Sequence, residues 1–324
     1  NSSINGIEDS DLIFLIGTNP RYEATILNAR IRKSYLNNNT KIISLNELGD
    51  LTYPYESLDG QTQTLKDIFD GNHEISNLIS NASKPIIILG ESFLNLNSSK
   101  YFFKKIKKFL IENNKINNEW NSLNTLSCDA ATVGNYDLKL INKDKNLLKD
   151  LKDHKFEIVY LVGQDNLNFE KKDEFVIYQG SHGDKGAELA DIILPGSAYT
   201  EQDGYFTNLE GKLQKAYKAS YPPGESKEDW LIINEIAEFM NNRKLFNDKD
   251  ELESSMFNYL NLQKEKHSDT KNNEENDKAN EFNNEMLKIK IKDYYFSNVI
   301  ARSSKTMIEC NNSKLNLKST GTEG

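Results

Sequence analysis

Cysteine and histidine are scarce in this sequence of 324 residues. It has two cysteines, Cys128 and Cys310, which stand far apart and lack the C-x-x-C spacing of zinc and iron–sulfur sites. Two thiolates are too few for a four-cysteine cluster, and they provide no disulfide framework. The histidines, none of which forms an H-x-H or H-x-x-x-H pair, are His73, His154, His182 and His267. We therefore expect no metal site on this chain.

Long apolar runs are also missing. The longest, such as Leu12 to Ile16 and Ile86 to Leu89, are far shorter than the roughly 20 residues that span a bilayer. We therefore expect a soluble chain without direct membrane insertion. The sequence starts at Asn1 without a Met, an apolar signal core or an Arg-rich presequence, which predicts a processed or partial chain.

Positive charge is in deficit. The chain has 40 basic and 49 acidic residues, for a net charge of -9. Such a field repels phosphate backbones and anionic lipid surfaces, so nucleic acid is not an expected partner. Hydrophobic residues make up 37% of the chain. This low share indicates globular domains diluted by polar insertions, and the length predicts about two such domains.

Alternation of strand and helix begins near the first residues. Asp11 to Gly17 is an apolar run that ends in glycine, which is typical of a strand buried on both faces of a parallel sheet. Asn19 is a suitable helix cap, and Pro20 suits the first helical position. Helical spacing then places one apolar face at Ala24, Leu27, Ile31 and Tyr35. Lys41 to Leu45 predicts a second strand and completes a βαβ unit.

The same alternation continues along the chain. Short helices are predicted around Leu65 to Phe69 and Ile75 to Ile79, and further strands at Pro85 to Gly90, Glu157 to Gly163, Glu174 to Gly180 and Ala190 to Leu194. One longer helix has an apolar face made of Phe102, Ile106, Phe109 and Leu110. Another covers Asp229 to Asn241, with its inward face at Trp230, Ile233, Ile236, Ala237 and Met240. This order predicts an α/β fold with doubly wound, mostly parallel sheets in two lobes.

Four segments are predicted from these patterns. Residues 1–83 form a first α/β lobe segment, 84–244 a second α/β lobe with glycine-rich loops, 245–288 a polar and partly disordered insertion, and 289–324 a C-terminal tail. The insertion is inferred from Gln263 to Asn280, which is dense in charge and asparagine and nearly free of large apolar residues. Order is predicted to return at Ile289 to Phe296.

Two glycine-containing turns are weighed as anion sites. Gly17 to Pro20 lies where a strand ends and a helix begins, and free N–H groups there can bind phosphate. The turn lacks the further glycines of G-x-G-x-x-G, so a capped turn is favoured over a ligand site. Gly180 to Gly186 is the most glycine-dense stretch, and it is interpreted as a tight surface loop or a contact with a partner subunit. Within it, Ser181, His182 and Asp184 are sequence neighbours, which alone make no catalytic triad.

Acidic and aromatic residues cluster shortly after this loop. Glu201, Asp203 and Glu210 could do acid–base work, but Gly204 and Gly211 predict turns between short strands, with the acids facing solvent or pairing with Lys212. The aromatic residues are Tyr199, Tyr205, Phe206, Tyr217 and Tyr221. On an acidic chain, packing or interface residues are favoured over a base-stacking platform.

Four ordered segments together resemble one known family. They are LIGTNPRYEATILNARIRKSYL, FVIYQGSHGDKGAELADIILPGSAYTEQDGYFTNLEGKLQ, PPGESKEDWLIINEIAEF and IKDYYFSNVIARSSKTMIEC. In this order they resemble the largest iron–sulfur subunit of respiratory complex I, in its C-terminal region. That family is in turn similar to molybdopterin-dependent oxidoreductases, and ADIILPGSAYTEQDGYFTNLEG carries most of this second resemblance.

The resemblance implies a structural role. In complex I proteins the region is understood to hold no molybdenum and to act as a scaffold, while iron–sulfur clusters bind to the family's cysteine-rich N-terminal portion. We therefore expect no catalytic, cofactor-binding or metal-binding residue and no cofactor on this chain. The expected partners are the cluster-bearing portion and other peripheral-arm subunits. The expected location is mitochondrial, on the matrix side of the inner membrane.

Alternatives remain beside this interpretation. The subunit is either split into separately encoded pieces, the hypothesis preferred here, or shortened at its front; intact-mass measurement distinguishes the two. A second function is a molybdopterin- or nucleotide-binding oxidoreductase that uses a cleft between lobes, which would require a bound metal or nucleotide. A third is an acidic adaptor module with a regulatory insertion at Gln263 to Asn280.

Overall fold

A computed structural model provides the structure of the chain. It describes residues 1–141, 147–167, 169–269 and 282–319, with side chains up to 261 and 314 in the helices that end the last two ranges. These residues divide into two compact units. The first comprises Asn1–Val133, Thr207–Leu213 and Asn272–Lys292, and the second Gly134–Phe206, Gln214–Lys271 and Asp293–Gly324.

The strands of the described residues are as follows. They are β1 (Leu12–Ile16), β2 (Lys41–Ser44), β3 (Glu56–Ser57), β4 (Pro85–Gly90), β5 (Leu123–Leu126), β6 (Ile158–Val162), β7 (Phe175–Gly180), β8 (Ile192–Pro195), β9 (Gly204–Thr207) and β10 (Leu213–Ala216).

The helices alternate with these strands. They are α1 (Pro20–Glu23), α2 (Thr25–Asn38), α3 (Thr62–Phe69), α4 (Glu74–Asn81), α5 (Glu91–Leu94), α6 (Ser99–Glu112), α7 (Thr132–Asp137), α8 (Leu147–Lys152), α9 (Lys185–Leu189), α10 (Asp229–Asn241), α11 (Lys249–Asp269), α12 (Val299–Ser303) and α13 (Lys305–Ser319). Short 3-10 helices lie at Asn5–Asp9 and Tyr294–Phe296.

The first unit contains a five-stranded sheet in the order β3-β2-β1-β4-β5, and all its pairings are parallel. The residues of β1 alternate between two cores. Phe14 and Ile16 pack with residues of α3, α4 and α6, whereas Ile13 and Leu15 pack with Ile31 of α2. Helices therefore cover both faces, which explains why β1 and β4 are continuous apolar runs.

The second unit contains a three-stranded parallel sheet in the order β6-β7-β8. One of its faces forms a core in which Leu161, Val176 and Tyr178 pack with Leu151 and Phe169. The strands β9 and β10 form a separate two-stranded sheet. Their connecting turn uses Gly211 at φ +80°, and the Asn208 N–H donates to the Lys212 carbonyl at 3.0 Å. Both glycine-marked short strands predicted for this region are thus present.

The predicted α/β class with mostly parallel sheets is confirmed. The boundary between units differs from the one expected near Ser83, because β4 begins at Pro85 and pairs along β1 in the middle of the first sheet. The first long stretch of the first unit instead continues to Val133. Periodicity located β1, β2, β4, β6, β7 and β8 but missed β3 and β5, and it carried no information about which strands pair.

Three local predictions need correction. The predicted buried face of α2 omits Asn28, but Asn28 is buried, with its amide N–H donating to the Leu51 carbonyl and its amide oxygen accepting from the Tyr53 hydroxyl. The helix Asp229–Asn241 has the predicted bounds, yet Ile233 and Met240 are exposed and Ile232 is buried. Of the predicted disordered insertion, residues 263–269 continue helix α11, and 270–280 lie outside the described residues.

Across the described residues, no helix combines the length and the apolar character needed to cross a membrane.

Candidate functional site

The crevice beside the carboxyl ends of β1 and β4 is the first candidate site, because the order of the strands reverses there and parallel α/β sheets bind ligands at such points. Gly17 and Gly90 end these strands. A Cβ on Gly90 would lie 2.2 Å from the Gly17 carbonyl oxygen, and a Cβ on Gly17 would lie 2.5 Å from the Phe93 nitrogen. Gly17 also has φ +70°. The two strand ends thus touch through their backbones, and only glycine permits that approach.

A carboxylate of the chain itself occupies the donors of this turn. Glu23 Oε2 accepts the Asn19 backbone N–H at 2.5 Å and the Thr18 hydroxyl at 2.8 Å. The Asn19 side chain caps α1 by accepting from the Arg21 N–H and donates to the Leu48 carbonyl at 3.0 Å. A strand-to-helix turn of this kind offers its N–H groups to phosphate in nucleotide-binding folds. Here an internal anion takes that place.

One further ionisable group adjoins Glu23. The Cys128 thiol lies 3.5 Å from Glu23 Oε1. Burial raises the pKa of the Cys128 thiol far above its ordinary value, and the nearby carboxylates of Glu91 and Glu23 raise it further. The thiol is therefore protonated at neutral pH, unlike the thiolates that ligate metals or act as nucleophiles.

Lys292 provides a positive charge near this group. Its ammonium lies 2.8 Å from Asp129 Oδ1. Burial favours the neutral amine, but the Asp129 hydrogen bond and the charges of Asp129 and Glu91 outweigh it, so the pKa of Lys292 is raised. This one lysine thus interacts with the carboxylates of Asp129 and Glu91.

The carboxyl ends of β7 and β8 form the second candidate site. Tyr178 lies beneath the loop of residues 180–186, and its hydroxyl donates to the His182 carbonyl at 3.0 Å. A Cβ on Gly180 would lie 2.3 Å from the Tyr178 hydroxyl, and one on Gly186 would lie 2.8 Å from the Gln164 carbonyl oxygen. Gly180 and Gly186 thus have a packing reason, since the backbone at each lies against the buried Tyr178 ring.

An arginine from the tail joins this loop to the loop that follows β6. Arg302 Nε donates to Asp184 Oδ2 at 2.7 Å, and Nη2 donates to Asp165 Oδ1 at 2.7 Å. Asp184 also caps α9 by accepting the Lys185 N–H. Burial opposes the charge of Asp184, but Arg302 and the Lys185 N–H outweigh burial and lower the pKa of Asp184. Asp184 is therefore committed to Arg302, while the His182 ring contacts Ser181 at 2.9 Å.

A cavity of about 400 Å³ opens at this second edge. Its lining includes Gly180, Ser181, His182, Gly196, Glu201 and Glu225. Glu201 Oε2 is engaged by the Ala198 N–H at 2.9 Å. Among the described residues that line the cavity there is no lysine or arginine. Its charged side chains are glutamates, so it offers poor electrostatic support to a phosphate.

The acidic residues predicted as alternatives for acid–base work are dispersed. Asp203 accepts the Lys218 N–H and pairs with Lys249, and Glu210 accepts the Ile4 N–H at 2.5 Å. Throughout the described part of the chain, no three His, Cys, Asp or Glu side chains are grouped so as to hold a metal ion. Of the aromatic residues, Tyr199, Tyr217 and Tyr221 are exposed, whereas Tyr205 packs edge-on against Phe257.

Two family models match this sequence. The molybdopterin oxidoreductase model matches residues 1–239. The chain belongs to the molybdopterin oxidoreductase family. A second model, which describes the C-terminal region of a large NADH-ubiquinone oxidoreductase subunit, matches residues 252–310, and these include α12 and Arg302.

Curated relatives of this molybdopterin oxidoreductase family member are large complex I subunits. The 78 kDa subunit of mitochondrial NADH-ubiquinone oxidoreductase from Candida albicans is 36% identical, over 96% of this chain and 44% of the relative. The 75 kDa subunit of NADH-ubiquinone oxidoreductase from Reclinomonas americana is 35% identical, over 96% of this chain and 46% of the relative. The NADH dehydrogenase iron-sulfur protein 1 from Solanum tuberosum is 37% identical over 74% of this chain and 32% of the relative. The predicted resemblance to the large complex I subunit is confirmed, and the chain spans less than half the length of these relatives.

The family name implies a pterin cofactor with a phosphate group, and neither sheet edge fits it. At the first edge the Asn19 N–H and the Thr18 hydroxyl are already bound to the Glu23 carboxylate. At the second edge the charged lining residues are glutamates. A phosphate would meet like charge at both places.

Residue patterns alone missed the side chains that decide this result. Glu23 follows the Asn19 cap by four residues, and an acid in the first turn of a capped helix is a readable signal for a carboxylate that reaches back. Arg302 carries no such signal, because its partners lie 118 and 137 residues away in sequence.

Proposed function

We propose that this chain is a non-catalytic structural portion of the large iron–sulfur subunit of complex I. In this role it supports electron transfer from NADH to ubiquinone without binding a redox centre of its own. The clusters are carried by the cysteine-rich portion of that subunit, on the same or on a separate polypeptide.

The observation that supports this proposal best is the contact of Glu23 with the Asn19 N–H. A fold that holds a phosphate-bearing cofactor keeps such donors free, whereas here a carboxylate of the chain satisfies them at 2.5 and 2.8 Å. The Cys128 thiol also supports the proposal, since burial and the carboxylates of Glu91 and Glu23 hold it protonated. The side chains at this edge stabilise the fold and perform no chemistry.

The proposal extends to location and partners. The relatives from Candida albicans and Neurospora crassa are named as mitochondrial subunits. We place this chain in the peripheral arm of complex I, on the matrix side of the inner membrane. There it contacts the cluster-bearing portion and other peripheral-arm subunits, with neither nucleic acid nor bilayer as a partner.

Native purification through a tag on this chain tests the proposal. We expect to recover a large assembly that oxidises NADH with a quinone acceptor, and to find iron in the assembly. When residues 1–324 are separated from the cluster-bearing portion and other neighbours under mild denaturant, we expect them to carry neither iron nor molybdenum in stoichiometric amount. Recovery of the chain alone with bound molybdenum or nucleotide would favour the oxidoreductase alternative and contradict the structural role.

A further inference from the structure

Among the described residues, one face of the three-stranded sheet in the second unit is largely exposed. Parallel registration puts residues 158, 160 and 162 of β6 beside 175, 177 and 179 of β7, and 192 and 194 of β8 on the same side. Seven of these eight positions are apolar: Ile158, Tyr160, Val162, Phe175, Ile177, Ile192 and Leu194. Five of the seven are between 39% and 64% exposed. We call this set the outer sheet face.

The first unit shows what such a sheet normally requires. Every residue of β1 and β4 is buried, because helices pack on both sides of that sheet. All-parallel sheets are found almost only with both faces covered. In the second unit, the face that carries Val176 and Tyr178 has its core, while the outer sheet face leaves β-branched and aromatic side chains in water. The outer sheet face is therefore an apolar surface of the kind that parallel sheets normally bury.

One polar residue, Gln179, lies at the carboxyl end of the outer sheet face. Gln179 is fully buried, accepts from the Tyr160 hydroxyl and donates to Asp229 Oδ1 at 2.7 Å. Asp229 is the first residue of α10, so the N-terminus of that helix closes the carboxyl end of the face. The apolar positions nearer the amino ends, Ile158 and Phe175, are paired in register and stay open.

We propose that the outer sheet face binds an apolar helical surface of the cluster-bearing portion of the large subunit. This inference rests on the proposed function and names the surface that joins the two parts. The matched relatives are more than twice as long as the region they share with this chain. The relatives therefore contain chain outside the shared region that is long enough to supply such a helix.

A second copy of the chain fits this face less well. Two copies would stack two parallel sheets directly, whereas parallel sheets are covered by helices in both halves of α/β folds. The face also bears no charged side chain that would select a polar partner, since its eight positions are seven apolar residues and Gln179. An amphipathic helix with a continuous apolar side supplies the cover that α3, α4 and α6 give to the first sheet.

Substitution at one exposed position tests the energetic claim. We expect Ile158→Lys to lower the amount of tagged chain recovered within the assembled complex about tenfold or more. The reason is that the substitution would bury an unpaired ammonium in the contact. The control is Ile26→Lys on α2, a side chain that is 73% exposed and outside the outer sheet face. Both isolated variants should unfold at the wild-type denaturant midpoint, since both side chains are solvated in the chain alone. Equal recovery of the two variants would overturn the inference.

Photo-crosslinking identifies the occupant. With Phe175→p-benzoylphenylalanine in the intact NADH-oxidising assembly, irradiation should link position 175 to a peptide of the cluster-bearing portion. Links to a second copy or to another subunit, or the absence of any link, overturn the inference while leaving the structural role intact. If the wild-type chain does not enter an NADH-oxidising assembly, the proposed function fails first and this inference falls with it.

Discussion

The Glu23 carboxylate accepts the Asn19 backbone N–H at 2.5 Å, at the turn where the first strand of the sheet passes into a helix. The donor that a cofactor phosphate would use is thus satisfied from within the same turn. The Cys128 thiol contacts the same carboxylate, so a substitution of Glu23 should change both the donors of the turn and the environment of the thiol. The two properties are testable together.

The first prediction concerns the reactivity of the two thiols. Cys310 is exposed, whereas burial and the carboxylates of Glu91 and Glu23 hold the Cys128 thiol protonated. We expect iodoacetamide at about pH 8 to alkylate Cys310 first and Cys128 much more slowly. Glu23→Gln should accelerate alkylation of Cys128 alone, since each unit of fall in its pKa raises the thiolate fraction about tenfold. Peptide mass spectrometry over time measures both rates, and equal wild-type rates would contradict the assigned environment.

The second prediction concerns Gly90. A Cβ there would lie 2.2 Å from the Gly17 carbonyl oxygen, so Gly90→Ala must push apart two strands in the centre of the sheet. We expect a loss of about 2 kcal/mol or more in the free energy of unfolding. Gly183→Ala is the matched control, because nothing lies within 4 Å of its Cβ, and it should change the free energy by less than about 1 kcal/mol. Urea unfolding followed by fluorescence measures both, and similar midpoints would refute the close approach.

The third prediction concerns Arg302. Its side chain and those of Asp165 and Asp184 are 15% to 21% exposed, so Arg302→Ala leaves two mostly buried carboxylates without their cation. We expect a loss of about 1–3 kcal/mol, below the value for a fully buried pair because water screens the charges in part. Arg302→Lys should recover little of it, since an ammonium cannot bridge both carboxylates with a planar fork. Arg243→Ala, at an exposed position, should leave the urea unfolding midpoint unchanged, and an equal shift for both alanine variants would contradict the assigned bridge.

Local patterns predicted the elements better than their partners. The run at residues 85–90 has the predicted bounds, as does the helix at residues 229–241. Which face of that helix is buried depended on tertiary contacts, and the apolar residues Phe239 and Met240 are exposed. Polar residues buried by long-range bonds, such as Asn28 with Tyr53, follow no periodic rule. The candidate site was predicted only in part. The sequence predicts the capped turn at Gly17 to Pro20, but it does not predict the Glu23 carboxylate that binds the donors of this turn.

The last prediction is a pH dependence carried by Glu174. Its side chain is 2% exposed, and it accepts the Lys172 N–H at 2.7 Å and contacts His154 Nδ1 at 2.5 Å. The Lys172 N–H and its own backbone N–H lower the pKa of Glu174 from 4.5 to about 2, with His154 adding to them and burial opposing.

A carboxyl group with a lowered pKa stabilises the fold fully above its unfolded value, and the contribution declines as pH falls from about 4.5 towards 2. The denaturation midpoint of the wild-type chain should therefore fall more steeply between about pH 5 and about pH 2.5 than that of Glu174→Gln. Glu119→Gln, a control at an exposed position, should follow the wild-type curve. Urea midpoints at a series of pH values decide the matter: parallel curves for wild type and Glu174→Gln would show that the carboxylate is not held by its amide donors in solution.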